Sequence, residues 1–194
     1  MPVRSRTTRP TMRTRRMHTD EVSHNVAVVR AFMTESVELV SAFADDRRAQ
    51  QIEAALAAVA HPDFELIDRD SLEHAGRSIP LEGYVTAWRH FLECWERLHL
   101  VVEEIVEYKD RLVVIARVSG ESKNAGILLE DRRAAVWTFR RGRVLRIEQF
   151  TTPAEALEAA GLATDGTESA RHPSPTPTLI PSLWSAMAEN ARAA

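Results

Sequence analysis

The 194-residue chain has one cysteine, Cys94, which excludes an internal disulfide and favours a reducing compartment. Seven glycines leave little room for a phosphate-binding loop, and the sequence has no HExxH motif or Cys/His cluster at ligand spacing. No apolar run approaches the roughly 20 residues of a membrane span, and the first residues lack the apolar segment of a secretory signal. We therefore expect a cytoplasmic protein with no membrane contact, no metal and no cofactor.

The net charge and the hydrophobic content are those of an ordinary globular protein. A net charge of −3 argues against a nucleic-acid partner for the chain as a whole, and 44% hydrophobic residues are ordinary for a globular protein. Residues 1–20 are basic and have no apolar periodicity, which predicts disorder; a tail for an anionic surface is the alternative. Residues 164–194 form a Pro/Ser/Thr-rich linker and a short apolar segment that either docks or frays. One domain, 21–163, remains.

The apolar spacing within that domain predicts an α+β plan. Helices are predicted over 21–60 with a break at 45–48, over 81–98 and over 153–162; strands are predicted over 63–70, 100–106, 111–119, 127–139 and 144–150.

The hairpin Ala134–Phe150 first indicates a pocket. Gly142 supplies the permissive turn conformation between two strands. Alternation puts Val144, Arg146, Glu148 and Phe150 on one face and Leu145, Ile147 and Gln149 on the other. A sheet with water on one side alternates more simply than this. Charge among apolar neighbours therefore predicts that one face of the strand lines a cavity.

Five short segments carry a family resemblance: NVAVVR at 25–30, HPDFELID at 61–68, LEGYVTAWRHFLECW at 81–95, VWTFRRGRV at 136–144 and PAEALEAAGL at 153–162. Over residues 23–162 the chain resembles the SnoaL-like, polyketide-cyclase-like group of the nuclear transport factor 2-like, ketosteroid-isomerase-like superfamily. The resemblance implies a cone in which a strongly curved antiparallel sheet wraps around N-terminal helices and encloses an apolar cavity. It also implies a homodimer formed through the outer face of the sheet.

The resemblance implies candidate catalytic residues. Asp68 matches the carboxylate base of ketosteroid isomerases, whereas the position of their neutral acid falls near Arg132 or Arg133. Arg117, Ser119 and Glu148 match the catalytic positions of limonene-epoxide-hydrolase-like members, but Ser119 lacks the required carboxylate. We therefore expect Asp68 or Glu148 (or His74) as base, with Arg117 stabilising negative charge. The expected ligand-binding residues are Trp88, Phe91, Trp95, Ser119, Trp137, Arg146 and Phe150.

Two functions remain open. One is a cofactor-independent isomerase, cyclase or dehydratase acting on a small apolar molecule that contains a carbonyl. The other is a non-catalytic ligand-binding or dimerisation module of the same fold, because fold does not imply function. In the second case Arg117 and Glu148 form a structural ion pair, and the tryptophans are core residues.

Overall fold

The computed structural model describes residues 13–16, 23–33, 36–68, 78–123 and 126–162. Within these ranges the helices are α1 (His24–Phe32), α2 (Leu39–Ala44), α3 (Asp46–Val59), α4 (Tyr84–Leu92) and α5 (Pro153–Ala159). The strands are β1 (Arg13–Arg16), β2 (Ser36–Glu38), β3 (Ala60–Asp68), β4 (Ser78–Pro80), β5 (Trp95–Tyr108), β6 (Arg111–Ser122), β7 (Leu128–Arg140) and β8 (Arg143–Phe150). A 3₁₀ turn, Leu81–Gly83, leads into α4.

The strands form one curved sheet in the order β1-β5-β6-β7-β8-β3-β4, and β2 pairs with β5 outside this path. The antiparallel strands β5 to β8 make its centre. Strand β3 joins β8 in parallel, and β1 joins β5 in parallel. Because β1 and β4 stand at opposite ends of the order, the sheet does not close into a barrel. The α+β architecture expected from the sequence is confirmed. None of the described helices is long and apolar enough to cross a membrane.

Side-chain caps explain where the helices begin. Ser23 Oγ accepts the backbone N–H of Val26 at 3.2 Å and starts α1. Asp45 Oδ1 accepts the N–H of Arg48 at 2.8 Å and starts α3. Such caps satisfy backbone donors that the first turn leaves unpaired. The break predicted at 45–48 is therefore confirmed, whereas the helix predicted over 21–60 is wrong at Ser36–Glu38, which form β2, and at Ala60, which begins β3.

The terminal helix α5 has signals at both ends. Thr152 and Glu155 form a reciprocal capping box at its start. At its end the N–H of Gly161 bonds Glu158 O and the N–H of Leu162 bonds Leu157 O, with Gly161 at φ 84°. This is a Schellman motif, which needs a left-handed residue. The predicted helix and its glycine cap are confirmed.

The helix predicted over 81–98 is wrong beyond Leu92, where α4 ends. Trp95 already begins β5, and a bulge separates Trp95 from Arg97 in the pairing with β6. The bulge lets Trp95 and Leu98 pack into the same core although they are three residues apart. A strand with a bulge therefore imitates helical spacing.

The hairpin between β7 and β8 has a two-residue turn. Arg140 pairs with Arg143, and the residues between them, Arg141 and Gly142, have φ values of 53° and 72°. Two positive φ values define a type I′ turn, whose twist matches that of the strands it joins. The hairpin predicted from the sequence is confirmed.

Each face of the sheet has its own apolar core. The face covered by α1 to α4, here called the concave face, carries the larger core, including Leu112, Val114, Val118, Trp137 and Ile147. The opposite, convex face carries a smaller core beneath α5. Its buried members are Val106, Val113, Ile115, Ala134, Val136, Ala156 and Ala160. Helices α1 to α4 thus lie on the concave face, and α5 covers part of the convex face.

Within residues 1–20 the structure describes Arg13–Arg16, whose backbone pairs with Glu104–Glu107 of β5. The rest of that segment and residues 164–194 lie outside the described residues. The boundaries predicted for the two tails therefore stay predictions.

Candidate functional site

Polar side chains gather at one end of the concave face. Arg133 pairs with Ala116, and Asp131 pairs with Val118, a member of the concave core. Directly paired residues project to the same face, so Arg133 and Asp131 both lie on the concave side. Gln149 pairs with Ala135 and with the backbone of Asp68 on that same side. We call the region of Asp131, Arg133 and Gln149 the polar end.

An ion pair occupies the polar end. Arg133 Nε lies 2.9 Å from Asp131 Oδ2, and the side chain of Arg133 is only 19% exposed against 40% for Asp131. Burial of a charge is costly unless a partner compensates it, and Asp131 supplies that compensation. The result is a guanidinium, paired with a carboxylate, on the face that carries the larger apolar core. A guanidinium binds carboxylate, phenolate or carbonyl oxygens with defined geometry.

Aromatic rings form a connected chain within the concave core. Phe64, Tyr84, Trp88, Phe91 and Trp95 form a chain in which successive ring centroids lie 5.8–6.5 Å apart. Such edge and tilted contacts are the geometries that aromatic quadrupoles favour. Burial raises the pKa of Tyr84, and the nearby Trp88 offsets only part of that rise. Tyr84 therefore stays neutral and serves as a packing residue.

Trp95, the last ring of this chain, also carries a polar atom. Its side chain is buried, yet its Nε1 has no hydrogen-bond acceptor among the residues that the structure describes. A buried donor without an acceptor costs free energy that a packed core normally avoids. Trp95 also packs over Gly120, where an added Cβ would approach the ring to 3.2 Å. The ring is thus held against β6 with one donor unused by the described residues.

Asp68 lies at the end of β3, where its backbone pairs with Gln149. This places the Asp68 position beside the polar end. The side chain of Asp68 and the whole of residue His74 lie outside the described residues.

The predicted pair of Arg117 and Glu148 is wrong. The guanidinium of Arg117 donates to Glu103 Oε1 from Nε at 2.9 Å and from Nη2 at 2.6 Å, and this bond raises the pKa of Arg117. Glu148 pairs with Val136, which is level with Val113, four residues from Arg117 on β6. Strand spacing then separates the two Cα atoms by about 17 Å.

The inward direction predicted for Arg146, Glu148 and Phe150 is also wrong. Glu148 pairs with Val136 and Phe150 with Ala134, both in the convex core. Arg146 bonds Glu65, which also accepts from Ser78 Oγ at 3.0 Å. Arg117 and Ser119 lie on the convex side too, since they alternate with the concave Val118. These five residues therefore do not share a face with the polar end.

Four other predicted residues do lie together. Trp88, Phe91, Trp95 and Trp137 all belong to the concave core. Trp137 packs on Phe32 of α1 with ring centroids 5.8 Å apart, at the end away from Arg133. Whether these residues bind a ligand stays a prediction.

Sequence reasoning missed Asp131, Arg133 and Gln149 as site residues. The sequence did contain the information needed. Every second residue of a strand lies on the same face, so Trp137, Ala135, Arg133 and Asp131 share one face of β7. Assigning the large apolar Trp137 to the helix-covered face would have placed the other three residues there as well. No group of His, Cys, Asp and Glu residues within the described ranges is arranged to hold a metal ion.

A curved, unclosed sheet with helices on its concave face defines the class of nuclear transport factor 2-like domains. The chain belongs to the SnoaL-like family, whose domain model matches residues 38–147. The comparison with curated proteins finds no match.

Solved structures show the same fold at low identity. A protein from Jannaschia sp. described as a SnoaL-like polyketide cyclase is 20% identical, with a TM-score of 0.54 over 76% of this chain and 100% of its own. An NTF2-like protein from Burkholderia pseudomallei is 21% identical, with a TM-score of 0.51 over 71% and 97%. TerC, crystallised with polyporic acid, is 18% identical, with a TM-score of 0.50 over 72% and 99%.

Proposed function

We propose that the polar end binds a small, largely apolar molecule that carries a carbonyl or acidic oxygen. The observation that carries this proposal is the Arg133–Asp131 pair, which is half-buried on the face that carries the larger apolar core. A guanidinium in such a place is costly to keep for packing alone, because apolar residues would fill the same volume at lower cost. Binding of a ligand oxygen by the Arg133 guanidinium would explain why a charge is kept at this position.

A further observation supports the proposal. The rings of Phe91 and Trp88 belong to the concave core, which supplies the apolar surface that ligand sites of this kind have. TerC, which shares the fold, was crystallised with an organic acid.

We extend the proposal to chemistry without a cofactor. The reaction that suits such a site is abstraction of a proton next to a carbonyl, followed by isomerisation, cyclisation or dehydration. Asp68 is the candidate base because its backbone position adjoins Gln149 at the polar end. Arg133 then stabilises the oxyanion that forms. The alternative is a non-catalytic binding site, favoured by the arginine that stands near the position expected for the isomerase-type acid.

Neighbouring arginines provide the test of binding. Arg133 lies on the concave face, whereas Arg132 bonds Glu103 on the convex face with its Nε at 2.9 Å. The full chain is screened by thermal shift against aromatic carboxylic acids, hydroxyquinones and cyclic ketones. Arg133→Gln should weaken a hit about tenfold or more, since a bond to a charged donor contributes roughly 1.5–3 kcal/mol. The matched variant Arg132→Gln should bind as the wild type does.

The outcomes separate the alternatives. Equal loss of binding in both arginine variants, or no shift with any compound class, would reject the polar end as a ligand site. For a compound that binds, product formation is followed by mass spectrometry in the wild type and in Asp68→Asn. Turnover that Asp68→Asn abolishes while binding persists supports catalysis by Asp68. Binding without turnover supports the non-catalytic alternative.

A second proposal concerns the convex face beyond α5. Leu128 begins β7 there and is 71% exposed, and the adjacent Ile127 is 40% exposed. Leu128 pairs with Glu121, which bonds Arg97, so charges of both signs surround the apolar residues. A face with both signs can be complementary to itself, as a two-fold dimer requires. We propose that two copies of the chain associate through this face.

Sedimentation of the full chain tests the dimer. The wild type should sediment as a dimer and Leu128→Asp as a monomer with an unchanged circular dichroism spectrum. The matched variant Ala44→Asp alters an exposed position on α2, on the helical side of the sheet, and should leave the dimer intact. A monomeric wild type would reject the proposal. The cytoplasmic location expected from the sequence stays a prediction.

A further inference from the structure

The outer edge of β5 is divided between two short strands. Strand β2 pairs with His99–Val101 in antiparallel orientation, and β1 pairs with Glu104–Glu107 in parallel orientation. Between them β5 has a bulge, where the pairing with β6 shifts between Val102 and Glu104. A bulge interrupts a ladder of hydrogen bonds. The edge from Glu104 to Glu107 is therefore a separate pairing site, distinct from the one that β2 occupies.

The register of β1 on this site matches opposite charges. Arg13 pairs with Glu104 and Arg16 pairs with Glu107, at the two ends of the four-residue ladder. Between them Ile105 and Val106 are buried in the concave and convex cores, so the centre of the acceptor edge is anchored on both faces. Opposite charges at paired positions stabilise a sheet, and like charges destabilise it. A basic strand thus fits this edge, and an acidic one does not.

We propose that the edge of β5 from Glu104 to Glu107 is an acceptor site for a basic extended strand, and that the chain fills it in cis with Arg13–Arg16. An open edge exposes unpaired backbone groups that invite pairing with other chains. Only residues 17–22 separate β1 from the residue that caps α1, so the tether keeps the strand at an effective concentration on the order of millimolar. The basic segment therefore acts as part of the domain, and β-strand addition is the mode of recognition.

Hydrogen exchange on the full chain tests this proposal. In Arg13→Glu/Arg16→Glu, amides of Glu104–Glu107 that bond β1 should exchange at least about tenfold faster, because the charges then repel. Amides at the centre of β6, such as those of Val113 and Val114, should not change and so report an intact fold. The matched control Arg4→Glu/Arg6→Glu makes the same change of charge outside β1 and should exchange like the wild type.

A peptide with the sequence of residues 11–18, TMRTRRMH, completes the test. Added to the Arg13→Glu/Arg16→Glu chain, it should restore slow exchange at Glu104–Glu107; the same peptide with its arginines replaced by glutamates should not. The wild type, whose site is filled, should bind neither. Thr14→Pro gives a second variant that opens the edge without adding negative charge. Exchange at Glu104–Glu107 that is equally fast in the wild type and in both variants would overturn the proposal.

Discussion

The two faces of the sheet use charge in different ways. On the convex face Glu103 lies at the bulge of β5 and bridges Arg117 and Arg132 on the next two strands, with both arginines about half exposed. On the concave face Arg133 is held by Asp131 and is largely buried. Glu103 is as buried as Arg133, at 19% exposure, but two half-exposed arginines neutralise it on a face that α5 covers only in part. Arg133 instead lies on the face of the larger apolar core, which is why the site proposal rests on it.

The comparison teaches that charge on a strand does not by itself identify a cavity. Glu148 and Arg146 suggested an inward face because apolar residues flank them in sequence. The apolar neighbour Phe150 instead packs against the convex core beneath α5. A sheet covered on both sides gives a mixed pattern on both faces. To decide which residues of a strand face the helices, one must start from a residue that is certain to be buried, such as Trp137.

The largest expected effect comes from the concave core. Leu112 is fully buried beneath the helices, whereas Leu128 is 71% exposed on the convex side. Leu112→Ala should lower the free energy of unfolding by about 2–5 kcal/mol, since it removes apolar burial and leaves a cavity. Leu128→Ala, measured at a concentration where the chain is monomeric, should change it by less than about 0.5 kcal/mol. Urea unfolding measures both, and equal losses would contradict the assignment of the faces.

Neighbouring residues of β6 give a sharper contrast. Gly120 lies on the concave side, where an added Cβ would come within 2.6 Å of Leu98 Cδ1 and 2.7 Å of the Arg97 carbonyl oxygen. Gly120→Ala should destabilise the protein by about 1–3 kcal/mol, because the backbone oxygen cannot move aside easily. Ser119→Ala, on the convex side, should stay within about 0.5 kcal/mol. The tryptophan fluorescence of Trp95 should change only in the glycine variant.

Much of the fold could be predicted because its signals are local. The hairpin has a glycine at a position that needs positive φ, and α5 has a capping box and a glycine cap. The site could not be predicted in the same way. The phase of β8 depends on a bulge near Val144, and the end of α4 depends on a bulge near Trp95. Bulges are set by pairing with distant strands, so alternation in one strand does not reveal them.

Removing the bridging carboxylate tests whether the convex charges support the fold. Glu103 is 19% exposed and pairs with two arginines. Glu121 pairs with one among the described residues, Arg97, which is 68% exposed. Glu103→Gln should cost about 1–2 kcal/mol, reduced from the value of a fully buried network by the exposure of both arginines. Glu121→Gln should cost less than about 1 kcal/mol. If Glu121→Gln lowers the free energy of unfolding as much as Glu103→Gln does, a carboxylate that bridges two arginines stabilises the fold no more than one that pairs with a single arginine.

The smallest expected effect, and the one that depends on pH, concerns Glu38. Its carboxylate accepts the N–H groups of Val40 at 3.2 Å, Ser41 at 2.6 Å and Leu98 at 3.0 Å, and so ties the start of α2 to β5. Burial raises the pKa of Glu38, but these bonds outweigh burial and hold the pKa below its usual value. At neutral pH Glu38→Gln should cost about 1 kcal/mol, as loss of a cap does.

The pH dependence of that cost follows from the direction of the shift. Because the pKa of Glu38 is lower in the folded state than in the unfolded state, its contribution is complete above the unfolded pKa of about 4.3. It disappears as the pH falls through the folded pKa, where the carboxylate gains a proton and loses acceptor strength. The difference in unfolding free energy between the wild type and Glu38→Gln should therefore narrow as urea unfolding is repeated from neutral pH to about pH 3. A difference that stays constant over that range would show that the cap acts through shape rather than charge.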